Sequence, residues 1–113
     1  MLIDSYRFGC IVVNGKQYTS DLIIFPDRVF DGWWRNEGHQ LCLDDITEIL
    51  DEKPEALVVG TGYESFMKIL SEVKEFLTLK RIILFAEKTT TAYLTFNILV
   101  KTKQVVGAFH ITC

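Results

Sequence analysis

The chain has 113 residues, 49% of them hydrophobic and 12% aromatic, a size and composition that suit one ordinary domain (1–113) with a core that needs no disulfide or metal staple. Its 15 acidic and 12 basic residues, a formal charge of −3, are spread along the chain, so no basic stripe exists for a phosphate backbone and nucleic acid is not an expected partner. Residues 1–7 lack an apolar run, nothing later approaches the ~20 apolar residues of a membrane span, and three scattered cysteines suit reduced thiols, so a cytoplasmic protein without a membrane segment is expected.

Residues 5–13 are rich in aromatic and β-branched side chains, and Asn14-Gly15 supplies the positive backbone angles of a tight turn before residues 16–19 return, which predicts a β-hairpin. Residues 22–25 and 29–33 flank the turn signal Pro26-Asp27, so the N-terminal third reads as antiparallel strands. Asp44 or Asp45 then caps a short helix: Ile46, Ile49 and Leu50 recur at helical spacing and Pro54 stops it.

From Ala56 onward the pattern changes. An apolar run over 56–59 leads through Gly60-Thr61-Gly62 into a helix over 62–77, where Phe66, Ile69, Leu70, Val73, Phe76 and Leu77 share one face. A strand over 81–86, a helix over 90–101 with Ala92, Phe96, Leu99 and Val100 on its apolar stripe, and a strand over 105–111 follow. The alternation predicts an α/β fold, a three-layer domain with a mixed sheet, antiparallel strands first and β-α-β-α-β after them.

The order and spacing of Trp34-Arg35, Gly38-His39, the 57–62 strand and turn, Phe96-Asn97 and the terminal His110-Ile111-Thr112-Cys113 resemble a small α/β family long filed as a domain of unknown function. Its better-known members are an adipogenesis-associated domain protein and a mitochondrial respiratory complex I assembly factor. The resemblance covers nearly the whole chain. It implies a three-layer domain with a β-rich N-terminal part, no established catalytic activity, and roles for some members in assembling other proteins.

Three groups of residues carry candidate chemistry. Gly60, Thr61 and Gly62 sit where α/β sheets place ligands, beside an expected helix N-terminus whose free amides attract anions. Against an anion site, position 65 is Ser65 where a dinucleotide fingerprint needs glycine, and Thr61-Gly62-Tyr63-Glu64 fits a capping box that uses those amides. The structural reading carries more weight.

His39 and His110 each stand three residues before a cysteine, Cys42 and Cys113, a coincidence that could assemble a zinc site or a thiol nucleophile with Asp44 or Asp45 as orienting acid. On a strand, residues i and i+3 face opposite sides, so no metal or cofactor is expected. The terminal strand should instead carry its histidine at a sheet edge. Asn97 reads as a hydrogen-bonding or surface residue.

Trp33-Trp34-Arg35 runs into a polar loop ending at His39 and combines residue types enriched at binding hot spots; burial of one tryptophan under Arg35 is the competing reading. The expected function is therefore a non-enzymatic protein-interaction or assembly module, with a protein partner or self-association. The alternative is a small-molecule binder or enzyme with a pocket between residues 60–62 and the 33–39 loop, where Arg35 holds an anionic group.

Overall fold

In the computed structural model, which describes residues 1–113, alternation along two strands decides the architecture. Ala56–Thr61 (β7) and Val105–His110 (β10) are buried at every position, as strands covered on both faces must be. They pair in parallel from Val105 opposite Ala56 to His110 opposite Thr61. Ala56, Val58, Val105 and Phe109 point to one face, while Leu57, Val59, Val106 and Ala108 point to the other, each into its own core.

The N-terminal strands are β1 (Ile3–Arg7), β2 (Cys10–Val13), β3 (Lys16–Tyr18), β4 (Leu22–Ile24) and β5 (Val29–Asp31). The short β6 (Gln40–Leu41), a 3-10 turn over Leu43–Ile46 and helix α1 (Thr47–Glu52) lead into β7. After it come β8 (Lys68–Ile69), α2 (Ser71–Leu79), β9 (Ile83–Glu87), α3 (Thr89–Leu99) and finally β10. The main sheet has the order β5-β4-β10-β7-β9, parallel on the β9 side and antiparallel at β4 and β5.

The fold is thus α/β with a mixed sheet in three layers. Helices α1 and α2 and the β6-β8 pair cover one face; α3 and the antiparallel β1-β2-β3 sheet cover the other. The β7-α2-β9 and β9-α3-β10 crossovers run in opposite directions over opposite faces, so both have one hand.

Several expected elements are corrected. Residues 5–13 form two strands because Gly9, at φ 78°, turns the chain, while the expected Asn14-Gly15 turn (φ 49° and 79°) joins β2 to β3. Strand β5 stops at Asp31 because Gly32, at φ 77°, turns the chain out. Neither Asp44 nor Asp45 is an N-cap: Ile46 is that of α1 and Cys42 that of the 3-10 turn, where the Cys42 N–H donates to the Asp45 carboxylate at 2.9 Å. The second long helix starts at Thr89 and ends at Leu99, and β10 ends at His110.

The largest correction is the helix expected over 62–77, which begins only at Ser71. Ser65 sits at φ 62°, and the N–H groups of Tyr63, Phe66 and Met67 donate to the carbonyls of Thr112, Cys113 and Thr61. Backbone donors committed to these carbonyls cannot form helical bonds, so the Thr61 to Glu64 capping box does not exist.

Asn97 is a hydrogen-bonding residue in a strand-like role. Its Oδ1 accepts the Ile3 N–H at 2.8 Å and its Nδ2 donates to the Ile3 carbonyl at 2.7 Å, holding β1 to α3. Asn97→Ala leaves both Ile3 groups without that partner and should cost about 1–3 kcal/mol in urea unfolding. An unchanged midpoint and slope would show that water replaces the side chain without loss.

Candidate functional site

The loop after β5 is folded by its alternation. Trp33 turns inward, 5% exposed, and its indole N–H donates to the Asp45 carbonyl at 3.0 Å; Trp34 turns outward, 83% exposed. Arg35 turns inward again and lays its guanidinium over the Trp33 ring, 4.8 Å from the centroid. Its Nη2 donates to the Gly38 carbonyl at 3.0 Å, which folds the loop back on itself.

Beneath the loop lies a buried charge cluster. Asp21 Oδ2 is 2.9 Å from Arg35 Nη1 and 2.8 Å from His110 Nδ1, and Asp21 Oδ1 accepts the Ile111 N–H at 2.8 Å. The side chains of Asp21, Arg35 and His110 are only 17%, 5% and 8% exposed. His110 Nδ1 lies between the Asp21 carboxylate and the Arg35 Nη2, 3.1 Å away: protonated it donates to Asp21, unprotonated it accepts from Arg35. His110 Nε2 and Arg35 Nε are buried without partners, and Arg35 Nη1 meets Asp21 as an ion pair without hydrogen-bond geometry.

Burial alone would push the Asp21 carboxyl up. The His110 hydrogen bond, the Ile111 amide and the charges of His110 and Arg35 outweigh it and hold the carboxyl below its ordinary value.

The glycine turn is filled by the chain itself. Thr89, at the start of α3, accepts the Gly62 N–H at 2.9 Å and donates to the His110 carbonyl at 2.7 Å, while its own N–H donates to the Gly62 carbonyl. A Cβ on Gly60 would sit 2.7 Å from the Phe109 and Thr89 side chains. One on Gly62, at φ 106°, would sit 2.3 Å from the Cys113 backbone. Thr61 is 5% exposed and donates to the Glu87 carbonyl at 3.1 Å. The glycines admit close packing, and the Gly62 and Tyr63 amides, expected to meet an anion, are already bonded.

The two histidines do converge, with ring centroids 6.1 Å apart, and the exposed His39 also stands edge-on to Phe66 at 5.9 Å. Their cysteines do not join them. Cys42 donates to the Asp45 carboxylate at 3.3 Å, and desolvation together with that hydrogen bond and charge pushes its thiol up, away from nucleophilic character. No group of three or more His, Cys, Asp or Glu side chains meets in metal-binding geometry. His110 is also not at an edge: β10 is the central strand.

A carboxylate and an imidazole with a free Nε2 can move a proton in principle, but no cleft opens onto this pair. The surface clefts, about 490, 180 and 540 Å³, are lined by other residues, and none includes Asp21, Arg35, His39, His110 or the 60–62 turn. On the side of that turn where a Gly62 Cβ would point lie the His110 ring and the backbone of Cys113. Asp21 was absent from the sequence-derived candidates; it follows Ser20 in what reads as a loop, and its histidine partner lies 89 positions away.

A mixed three-layer sheet with a charge cluster locked under a surface loop defines a small α/β domain built around a braced loop. Residues 3–111 match the family described as a protein of unknown function (DUF498/DUF598), and the chain belongs to that family. It is 30% identical over 115 residues to human NADH dehydrogenase (ubiquinone) 1 alpha subcomplex assembly factor 3, across 96% of this chain and 59% of that protein. The chain therefore spans less than two thirds of that relative's length.

A conserved hypothetical protein from Pyrococcus horikoshii has a TM-score of 0.84 and 25% identity over 100% of both chains. A Mth938-like domain from Bordetella pertussis, at 21% identity and a TM-score of 0.63 over 97% and 85% of the chains, shares the fold. No helix is long and apolar enough to cross a membrane.

Two outcomes follow from the cluster. Because the folded pKa of Asp21 lies below its unfolded value of about 3.9, its contribution is complete above that value and is lost as pH falls through the folded pKa. Asp21→Asn should cost about 3–5 kcal/mol at neutral pH by stranding buried charge, and the gap from the native chain should shrink in acid. Urea unfolding at neutral and acid pH measures both; a pH-independent gap would refute the assignment. Thr89→Val, which leaves the buried Gly62 N–H without its acceptor, should cost about 1–3 kcal/mol in the same assay.

Proposed function

We propose that this domain is a non-enzymatic protein-interaction or assembly module that presents the loop of Trp33, Trp34, Arg35 and His39 to a protein partner. The observation that carries the reading is Trp34, 83% exposed between two neighbours that are both buried. A large aromatic ring held in water on a braced loop is a ready anchor: Arg35, bonded to Gly38 and paired with Asp21, fixes the loop before binding and lowers the ordering entropy that association costs.

The human relative supports the assembly part of the reading, since its name makes it an assembly factor for an NADH dehydrogenase subcomplex. The three free thiols fit a reducing compartment, and the cytoplasm is the proposed setting. The bonded Gly62 and Tyr63 amides favour this reading over the anion-binding alternative.

Affinity capture of the tagged protein from its own cell extract tests the proposal. Trp34→Ala should leave thermal unfolding unchanged and weaken partner retention by about 2 kcal/mol, roughly thirtyfold. Arg35→Ala should weaken retention and also destabilise the fold, because it removes one partner of the buried cluster. Partner recovery unaffected by Trp34→Ala would move the contact surface elsewhere.

A further inference from the structure

Strand β9 is one edge of the five-stranded sheet. The Ile83 N–H donates to the Glu55 carbonyl, which sets the phase of the parallel ladder: Ile83, Phe85 and Glu87 turn their amides toward β7, and Leu84 and Ala86 turn theirs outward. No turn or loop bond engages the backbone of Leu84 or Ala86. The strand, Ile-Leu-Phe-Ala-Glu, has no proline, no lysine and no register break, the devices by which edges ordinarily avoid pairing.

Its surroundings are apolar as well. Ile83 is 51% exposed on the face covered by α3, and α3 carries no charged residue from Thr89 to Leu99. Helix α3 descends antiparallel to β9, so at ~1.5 Å per helical residue against ~3.3 Å per strand residue Ile98, 68% exposed, stands level with Ile83.

We propose that this edge is a dimerisation surface whose occupant is β9 of a second copy, running antiparallel about a two-fold axis at Leu84. Three properties of the strand are self-complementary in that register. Leu84 meets its own copy, and the outward Ala86 N–H meets the Ile82 carbonyl, while the Ile82 N–H stays on Leu77 within its own chain. Ile83 and Phe85 face each other across the axis as apolar cross-strand pairs.

Arg81, at φ 59° with its N–H on the Thr78 carbonyl, belongs to the turn that ends α2 and takes no part in the ladder. Moving the axis to Phe85 would set Glu87 against Ile83 and Lys88 against Ile82, so charge disfavours that register. The contact is isologous and closes at two copies. It shares no residue with the Trp34 loop, and the two surfaces stand or fall separately.

Sedimentation of the whole chain over a concentration series tests this, with thermal unfolding as the folding control. The native chain should form a reversible dimer, and hydrogen exchange at Leu84 and Ala86 should slow as concentration rises. Ala86→Pro removes an outward N–H and leaves the β7 ladder intact, so it should raise the dimer dissociation constant at least ~10-fold. Ile83→Lys should do the same from an exposed position and serves if the proline variant does not fold. A chain monomeric to its solubility limit, or a dimer indifferent to both Ala86→Pro and Ile83→Lys, overturns the proposal.

Discussion

Everything in this structure depends on the insertion of β10, the last strand in sequence, between β4 and β7 at the centre of the main sheet. Until it is in place, β4 and β5 form a hairpin with no tie to the parallel strands, and neither core has its middle. Its pairings reach back about fifty positions to β7 and more than eighty to β4. Closing loops of that length before the contacts reward it makes such a topology slow to form and cooperative once formed.

The polar network follows from that insertion. The end of β10 and the residues after it supply the His110 carbonyl to Thr89, the Ile111 N–H to Asp21 and the Ile111 carbonyl to Gly9 and the Tyr6 hydroxyl. The Tyr6 hydroxyl, whose pKa desolvation and the nearby Tyr63 and Asp21 push up to about 12, stays a neutral donor there. A buried cluster of Asp21, Arg35 and His110 is a poor source of net stability, because desolvating charges offsets most of their attraction. What it supplies is position: it ties the residues before β4, the loop after β5 and the central strand to one another, anchoring the loop that bears Trp34 at Arg35.

The surface then divides into two regions of different character. One is a single large aromatic on a braced loop, suited to a partner with a pocket. The other is a strand edge backed by an uncharged helix, suited to another strand. Family membership joins this chain to proteins of unknown function and, at 30% identity, to an assembly factor. Both surfaces fit the proposed interaction module, and neither needs a cavity.

Local patterns determined much of this protein before any packing was known. Apolar runs at 56–59 and 105–111, the Asn14-Gly15 turn and the stripe of Ala92, Phe96 and Leu99 marked strands, hairpin and helix, because each depends on neighbours within a few residues. The same logic failed at 62–70, where helical spacing was real but the backbone donors were claimed by Thr112 and Cys113. Alternation made one inward tryptophan expected, yet which of Trp33 and Trp34 it was awaited the Asp45 carbonyl that receives the indole. Asp21 was invisible, since an aspartate near a turn reads the same whether it caps that turn or meets a histidine 89 residues later. Contacts between distant segments leave no periodic trace in a sequence; the order of strands creates them, and only the tertiary structure decided that order.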